Sequence, residues 1–256
     1  MEVLAIIGSP RGKSNTYKAV RLVEKEMKNF GDVNLEYILL NEIDLKTCKG
    51  CFNCLRIGEE RCPLKDAQIE IEEKMISSDG IIFASPTYVM NVSWLFKNFL
   101  DRFAYICHRP RLFNQSALVL TTVGSYGAKT TLEYMANAVT TWGCRSIIKL
   151  PLTVPPVGGK EEIVDQDIET LEKTSKQFYN DLVNKDILSP KFSSLVQFRL
   201  QKAIFTEAGA KIDFPKDYEY YTTKISSNYY VNANVNPIKN AVAWIVEKFL
   251  MRKISS

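Results

Sequence analysis

Four of the six cysteines in this 256-residue chain lie close together in one short stretch of sequence. They follow the pattern C-x2-C-x2-C-x7-C, at Cys48, Cys51, Cys54 and Cys62. Four thiolates are enough to ligate a cubane iron–sulfur cluster, and two-residue spacings allow one loop to wrap around it. The same four side chains could instead bind zinc, form a redox disulfide, or serve as structural or substrate-lining thiols. The spacing alone leaves these alternatives open.

A second group of chemically useful residues lies in the loop G8-S-P-R-G-K-S-N-T16, after the first apolar run. Backbone N–H groups at a helix N-terminus bind phosphate well, and hydroxyl and guanidinium donors add to such a site. The loop matches neither the dinucleotide fingerprint nor the P-loop, and its donors suit a single phosphate monoester. We therefore expect a phosphate site formed by Ser9, Arg11, Ser14, Asn15 and Thr16.

Two further loops follow apolar runs later in the chain, S85-P-T-Y-V-M-N91 and T121-T-V-G-S-Y-G127. The first has a Ser-Pro break whose backbone amides can bond a flat ring, and Tyr88 can stack on that ring. The second is rich in glycine, so that its backbone can approach a ligand closely. A phosphate pocket beside two loops that suit a planar heterocycle indicates a flavin mononucleotide site.

The elements that must position these loops are short apolar runs alternating with amphipathic helices over residues 1–184. This alternation predicts a doubly wound α/β domain with a five-stranded parallel sheet and helices on both faces. Ligands of such domains bind outside the carboxyl ends of the strands, where all three loops lie. The expected strands are Val3–Ile7, Leu35–Leu40, Gly80–Ala84, Ala117–Val123 and Ser146–Leu150. The expected helices are residues 14–29, 66–77, 93–106, 129–142 and 161–184.

Residues 185–256 do not continue the alternation, and we expect them to form a C-terminal extension. The extension is rich in aromatic residues, which predicts an ordered segment packed on the body or on a dimer mate. Its last helix is expected to start at Pro237, and its basic amphipathic pattern favours docking on a dimer mate over lying on a membrane surface. The apolar side of this helix carries Val242, Trp244, Ile245 and Phe249.

The overall composition is that of an ordinary globular protein, with 46% hydrophobic residues, 24% charged residues and a net charge of +4. No apolar run is long enough to span a bilayer, no signal peptide is visible, and a cytoplasmic location is expected. The body has no basic stripe for nucleic acid. The single histidine, His108, excludes a multi-histidine metal site and is expected to be a solvated residue, so the chemistry points to a cofactor.

Taken in order, these motifs resemble the NADPH-dependent FMN reductase family over roughly residues 1–184. The resemblance rests on G8-S-P-R-G-K-S-N-T16, the cysteine loop leading into Asp66, D79-G-I-I-F-A-S-P-T-Y88 and K97-N-F-L-D-R102. It implies a flavodoxin-like fold, bound FMN, reduction by NAD(P)H and a homodimer with the flavin near its interface. It also implies that the five loop residues above hold the phosphate. The remaining flavin contacts implied are Pro86, Thr87, Tyr88, Val89, Gly124 and Ser125.

The resemblance implies an NAD(P)H oxidoreductase that works in two half-reactions. A hydride passes from the nicotinamide to flavin N5, and a small-molecule acceptor such as a flavin or quinone then takes the electrons. No catalytic side chain is expected, because the flavin carries the chemistry.

Two alternatives remain open for the function. The cysteine loop resembles that of the iron–sulfur flavoprotein branch, in which these four cysteines would ligate a [4Fe–4S] cluster and a ferredoxin-like partner would supply single electrons. The second alternative is a flavodoxin-type electron carrier, although such carriers are usually shorter and acidic.

Overall fold

The computed structural model describes residues 1–155, 163–185 and 187–254. The strands are β1 (Glu2–Ile7), β2 (Asn34–Leu39), β3 (Gly80–Pro86), β4 (Ser116–Val123) and β5 (Ser146–Thr153). The helices of the body are α1 (Asn15–Lys28), α2 (Asn53–Arg56), α3 (Gln68–Ser77), α4 (Trp94–Arg102), α5 (Ala128–Thr141) and α6 (Asp165–Val183). Those of the extension are α7 (Phe192–Phe205), α8 (Ala210–Asp213), α9 (Pro215–Thr222) and α10 (Pro237–Ile254). Short 3₁₀ turns cover Glu59–Arg61 and Ala104–Cys107.

The five strands form one parallel sheet in the order β2-β1-β3-β4-β5. This is the strand order of the flavodoxin-like doubly wound fold, so the predicted fold class is confirmed. Because every strand runs in the same direction, the loops that follow β1, β3 and β4 meet at one edge of the sheet. These loops are the three that the sequence singled out.

Both faces of the sheet are covered by helices, as the near-continuous apolar character of the strands requires. Alternate residues of β1 show the division: Leu4 and Ile6 belong to the apolar cluster shared with α3, α4 and α5. Val3, Ala5 and Ile7 belong to the cluster shared with α1 and α6. The sheet is thus the middle layer of three, and its buried faces fix where the strand ends lie.

The extension packs on the body through a third apolar cluster. Phe198, Tyr221 and Tyr230 are buried there together with Phe113, which comes from the segment before β4. The Tyr221 hydroxyl donates a hydrogen bond to the backbone oxygen of His108 at 2.7 Å. The aromatic residues of the extension therefore order it against the body.

Several sequence-based expectations differ from the structure in detail. The helix expected over 93–106 ends at Arg102 and is followed by a 3₁₀ turn. The helix expected over 161–184 begins at Asp165, and residues 161 and 162 lie outside the described residues. The expectation of a solvated His108 is wrong, because α9 covers it and its Nδ1 lies 2.6 Å from Oδ2 of the buried Asp217.

Helix α10 packs against α7 with Ala243 and Glu247, which are buried. The apolar side predicted from its sequence, with Ile245 and Phe249 at its centre, is instead exposed. A dimer mate on this side stays a prediction. Within the described residues, no helix combines the length and apolar character needed to cross a membrane.

Candidate functional site

A cavity of about 320 Å³ lies at the sheet edge where β1, β3 and β4 end. Its volume falls at the lower end of the range of about 300–1,000 Å³ that is usual for small-molecule sites. Larger open cavities occur in the extension, but they lie away from the strand ends. Nine residues that the sequence predicted line the cavity at the strand ends: Ser9, Arg11, Ser14, Asn15, Thr16, Pro86, Thr87, Tyr88 and Gly124.

The loop between β1 and α1 is shaped for an anion. Gly12 has a φ of 61°, in the left-handed region that glycine adopts readily, and the Ser14 N–H donates to its carbonyl oxygen at 2.7 Å. Ser14 is the N-cap of α1, yet its side chain makes no capping hydrogen bond. The N-terminus of a long helix is thus left open toward the cavity, and its dipole favours a negative charge there.

Two buried polar atoms at this helix start have no partner in the protein. They are Oγ of Ser14 and Oδ1 of Asn15. Buried polar atoms are normally hydrogen-bonded, so this unused capacity indicates a ligand with its own polar atoms. The Ser14 hydroxyl can donate to a phosphate oxygen, and a flip of the Asn15 amide would present its NH₂ group there. Among the described residues that line the cavity, Arg11 alone carries a charge at neutral pH.

Two separate sets of threonine hydroxyls form hydrogen bonds between the elements around the cavity. The Thr16 and Thr122 hydroxyls lie 2.7 Å apart, and those of Thr87 and Thr121 lie 2.9 Å apart. Thr131, at the start of α5, accepts a further bond from Thr87 at 3.1 Å. Since each bond joins two different elements, the hydroxyls hold the strand ends and helix starts in a fixed arrangement.

The loop after β3 is braced from below by two serines. The Ser93 N–H donates to Oγ of Ser85 at 3.0 Å, and the Ser93 hydroxyl donates to the carbonyl oxygen of Gly8. Oγ of Ser93 also accepts from the Phe96 N–H at 3.2 Å and so caps α4. This arrangement ties the end of β1, the end of β3 and the start of α4 together beneath the cavity.

Two predicted flavin contacts, Val89 and Ser125, do not line the cavity. Val89 and Met90 have φ values of 47° and 65°, which makes Tyr88–Asn91 a tight two-residue turn. A β-branched residue at positive φ is a genuine outlier, and here the turn leaves the Val89 side chain 98% exposed. Ser125 is exposed in the turn between β4 and α5.

Four cavity residues were missed by the sequence reasoning: Thr122, Val123, Val154 and Pro155. Thr122 and Val123 end β4 and lie within the segment 121–127 that the sequence singled out, but only Gly124 and Ser125 of that segment were predicted as flavin contacts. Val154 and Pro155 follow β5, and their only signal was their place at the carboxyl end of a fifth parallel strand.

The cysteine loop lies between β2 and α3, and all four of its thiols are free. The pKa of the Cys54 thiol is raised to about 11. Burial is the largest cause of this rise, and the neighbouring thiols of Cys62, Cys48 and Cys51 add to it. The four sulfurs are therefore near enough to influence one another. In the described part of the chain, however, no three His, Cys, Asp or Glu side chains converge closely enough to hold a metal ion as they stand.

Two buried arginines anchor this loop. The Arg102 guanidinium pairs with Asp66, donates to the Lys46 carbonyl oxygen at 2.9 Å and lies 3.8 Å from Sγ of Cys62. Burial acts to raise the pKa of Asp66, but the hydrogen bonds and charge of Arg102, with two backbone N–H donors, hold it below its usual range. The second arginine, Arg109, donates to the Cys54 carbonyl oxygen at 2.7 Å.

The two remaining cysteines have structural surroundings. Sγ of Cys107 lies 3.2 Å from the Thr141 hydroxyl. Burial raises the pKa of the Cys144 thiol to about 12. Neither environment indicates a role in redox chemistry.

Comparison with known proteins identifies the family. The model of the NADPH-dependent FMN reductase family matches residues 1–151, which hold β1 to β4 and most of the cavity. The chain belongs to the NADPH-dependent FMN reductase family. This is an FMN-binding family of oxidoreductases, and the predicted resemblance is confirmed.

Two curated relatives are named iron–sulfur flavoproteins. One, from Archaeoglobus fulgidus, is 28% identical over 228 residues, covering 88% of this chain and 99% of that protein. The other, from Clostridioides difficile, is 30% identical over 184 residues, covering 70% of this chain and 78% of that protein.

Solved structures share the fold at low sequence identity. The NAD(P)H:quinone oxidoreductase of Methanothermobacter marburgensis aligns with a TM-score of 0.57 at 17% identity, covering 73% of this chain and 98% of that one. An NADH:FMN oxidoreductase aligns with a TM-score of 0.52 at 22% identity, covering 70% of this chain and 89% of that one. At these identities the likeness bears on the fold alone.

The residues of the cavity fit the FMN that the family name implies. The open helix start with its two unpartnered side-chain atoms suits a phosphate monoester, and the loops after β3 and β4 border the space beside it. The cysteine loop fits an iron–sulfur cluster by the number and chemical type of its thiols, and its sulfurs would have to draw closer together around one.

Proposed function

We propose that this protein is an FMN-dependent oxidoreductase that takes electrons from NAD(P)H and delivers them to a small-molecule acceptor. The observation that carries the proposal is the cavity at the strand ends, with Ser14 and Asn15 unpartnered at the start of α1. When bound, FMN supplies hydride transfer at its N5 and onward electron transfer. Membership of the FMN reductase family supports the same assignment.

In this proposal the protein binds and orients the flavin and supplies no acid or base. Ser9, Arg11, Ser14 and Asn15 hold the phosphate, with Arg11 balancing its charge. The Thr16–Thr122 hydrogen bond keeps the phosphate loop against the end of β4. Pro86 and Thr87, together with Gly124, border the ring system.

Tyr88 and the turn that follows it form the outer wall of the site. Tyr88, Val89 and Met90 are all exposed apolar side chains beside the cavity mouth. An apolar rim of this kind favours the approach of a flat nicotinamide or quinone ring to the flavin. A homodimer with the flavin near its interface and a cytoplasmic location remain part of the proposal.

Steady-state turnover separates this function from that of an electron carrier. FMN-loaded protein is mixed with NADH or NADPH and a large excess of free flavin or a quinone. Continued nucleotide consumption, in proportion to the bound FMN, is the expected result. If neither NADH nor NADPH is oxidised beyond one equivalent per bound flavin, the result contradicts the proposal and favours a flavodoxin-type carrier.

A second candidate function is that of an iron–sulfur flavoprotein, and the names of the two curated relatives favour it. In this reading Cys48, Cys51, Cys54 and Cys62 ligate a [4Fe–4S] cluster, and a ferredoxin-like protein exchanges electrons with it. The cluster would supply one-electron transfer beside the two-electron chemistry of the flavin. The four free thiols in one loop, spaced C-x2-C-x2-C-x7-C, support this donor set.

Iron and sulfide content tests the second candidate directly. Cys51 is exposed, so Cys51→Ala removes one thiol without disturbing the core, and Cys107→Ala is the matched control outside the loop. Anaerobically purified wild type and Cys107→Ala should hold about four irons and four sulfides per chain, as a cubane requires. Cys51→Ala should lose most of them while keeping its FMN. Equal iron in the two variants, or none in the wild type, would overturn this candidate.

A further inference from the structure

The main chain at the third cysteine is held by a buried side chain from outside the loop. Arg109 is 3% exposed, and its Nη2 donates to the Cys54 carbonyl oxygen at 2.7 Å. Nη1 of the same guanidinium lies 3.4 Å from the carbonyl oxygen of Leu55, and Nη2 lies 3.0 Å from Oε2 of Glu59. One guanidinium thus fixes the backbone direction of α2, which carries Cys54.

Arg109 is in turn oriented by the C-terminal extension. Its Nη1 pairs with Oδ1 of Asp217 in α9, and the Asp217 side chain is fully buried. The other carboxylate oxygen of Asp217 lies 2.6 Å from Nδ1 of His108. A buried guanidinium needs counter-charges, and of the two carboxylates that pair with Arg109 only Asp217 is fully buried. The orientation of Arg109 toward Cys54 therefore depends in part on a carboxylate more than one hundred residues away in sequence.

Two other contacts join the same part of the extension to the same loop. Nε of Arg56 in α2 donates to the Asp213 carbonyl oxygen at 3.1 Å. Nζ of Lys216 lies 3.6 Å from Oε1 of Glu60 in the 3₁₀ turn. The loop between the third and fourth cysteines is therefore bound to α8 and α9 directly at two points and, through Arg109, at a third.

We propose that Asp217, acting through Arg109, is a positioning residue for Cys54, and that the C-terminal extension thereby sets the shape of the four-cysteine loop. The consequence for a bound cluster rests on the iron–sulfur candidate above. The positioning of the Cys54 main chain is independent of that candidate, because it can be measured on metal-free protein.

The test compares Asp217→Asn with Asp213→Asn. Asp213 is exposed and contributes only its backbone oxygen to the loop contact, so its substitution changes charge nearby without breaking that contact. In metal-free protein, alkylation of Cys54 is measured relative to that of the exposed Cys51. Asp217→Asn removes the buried counter-charge of Arg109, and the loss of such a charge-assisted interaction corresponds to a change of about tenfold or more in an equilibrium. If that change frees the Cys54 main chain, the relative rate of alkylation at Cys54 should rise by the same factor.

Further readouts separate positioning from general loss of structure. Asp217→Asn should keep the wild-type circular dichroism and FMN content. Where iron is bound, the midpoint potential of the cluster should shift in Asp217→Asn and stay unchanged in Asp213→Asn. If Asp217→Asn fails to fold, Arg109→Lys, which keeps the buried positive charge but cannot bond Asp217 and the Cys54 carbonyl oxygen together as the guanidinium does, should still raise Cys54 labelling.

The outcomes are distinct from those that test the proposed function. Cys54 labelling equal in folded Asp217→Asn and Asp213→Asn would overturn the positioning role, as would unchanged labelling in Arg109→Lys if it is the variant used. Absence of iron from every variant, the wild type included, would remove the iron–sulfur candidate. The labelling comparison would still test the positioning role. Absence of FMN would contradict the flavin site alone.

Discussion

At the scale of single residues, Ser14 and Asn15 stand out because they line the cavity at a helix start and their buried side-chain oxygens have no hydrogen-bond partner within the protein. A buried polar atom without a partner costs free energy, so its presence at a helix start indicates that a ligand completes it. In the proposed function, the flavin phosphate would provide the acceptor that the Ser14 hydroxyl needs.

Replacing Ser14 by alanine should weaken FMN binding. A hydrogen bond to a charged group contributes about 1.5–3 kcal/mol, which corresponds to a rise in Kd of about tenfold or more. The Kd is measured by titrating flavin-free protein with FMN and following flavin fluorescence. Ser77→Ala, an exposed serine at the end of α3, is the matched control and should keep the wild-type Kd. The same Kd in both variants would argue against a phosphate at this helix start.

The buried Asp66–Arg102 pair should make the stability of the protein sensitive to acid. The pKa of Asp66 in the folded protein lies below its ordinary value of 3.8, so the unfolded chain takes up its proton first as the pH falls. The stabilisation is therefore fully present above about pH 5 and is lost as the pH falls through the lowered pKa.

Urea unfolding at several pH values, followed by circular dichroism, measures this dependence. The urea midpoint of the wild type should fall between pH 5 and pH 3, and Asp66→Asn should flatten part of that fall. Asp32→Asn, an exposed carboxylate, should leave the slope unchanged. An identical slope in Asp66→Asn and Asp32→Asn would contradict the assignment.

At the scale of elements, the site depends on how closely the end of β1 meets α4. A Cβ on Gly8 would lie 2.5 Å from Cβ of Phe96, which is shorter than any ordinary contact. The Ser93 hydroxyl bonds the Gly8 carbonyl oxygen at the same point. A glycine is thus required here for close approach, and this requirement connects the phosphate loop to the loop after β3.

Gly8→Ala should therefore push α4 away from β1. Overpacking of a filled core typically costs about 1–3 kcal/mol, and we expect a loss of that size in the free energy of unfolding. FMN affinity should fall as well, since both loops move. Gly209→Ala is the control, because a Cβ there meets nothing within 4 Å. If urea unfolding shows equal stability of the two variants, the Gly8–Phe96 contact can rearrange without a loss in the free energy of unfolding, and the prediction is contradicted.

The strands and the phosphate loop could be predicted because their signals are local. Runs such as G80-I-I-F-A84 can only be buried strands of a parallel sheet, and the donors of residues 9–16 lie in one loop. The position of Val89 could not be predicted, since β-branched residues rarely adopt positive φ. The pairing of Arg109 with Asp217 joins residues 108 positions apart, and no local pattern reports such a contact.

At the scale of the whole molecule, the extension and the body share buried surface. Phe113 of the body lies in the aromatic cluster of the extension, and the Asp217–Arg109 pair is buried between them. Neither part can separate without exposing aromatic side chains and a buried charge pair. We therefore propose that the predicted units 1–184 and 185–256 unfold as one.

Phe198→Ala tests this coupling. Phe198 is fully buried in the extension, and truncating a buried phenylalanine costs about 3–5 kcal/mol. Thermal unfolding is followed by flavin fluorescence, which reports on the body, and by circular dichroism, which reports on the whole chain. Both transitions should shift down together, while Phe192→Ala, a half-exposed position in the same helix, should change them little. A flavin transition that stays at the wild-type temperature would show that the two parts unfold separately.

The decisive measurement for the flavin site is the amount of FMN bound per chain in protein purified without oxygen. We expect a yellow protein that releases about one FMN per chain on denaturation and rebinds it after removal. A protein that carries no flavin and binds none when titrated with FMN would contradict the assignment of the cavity at the strand ends.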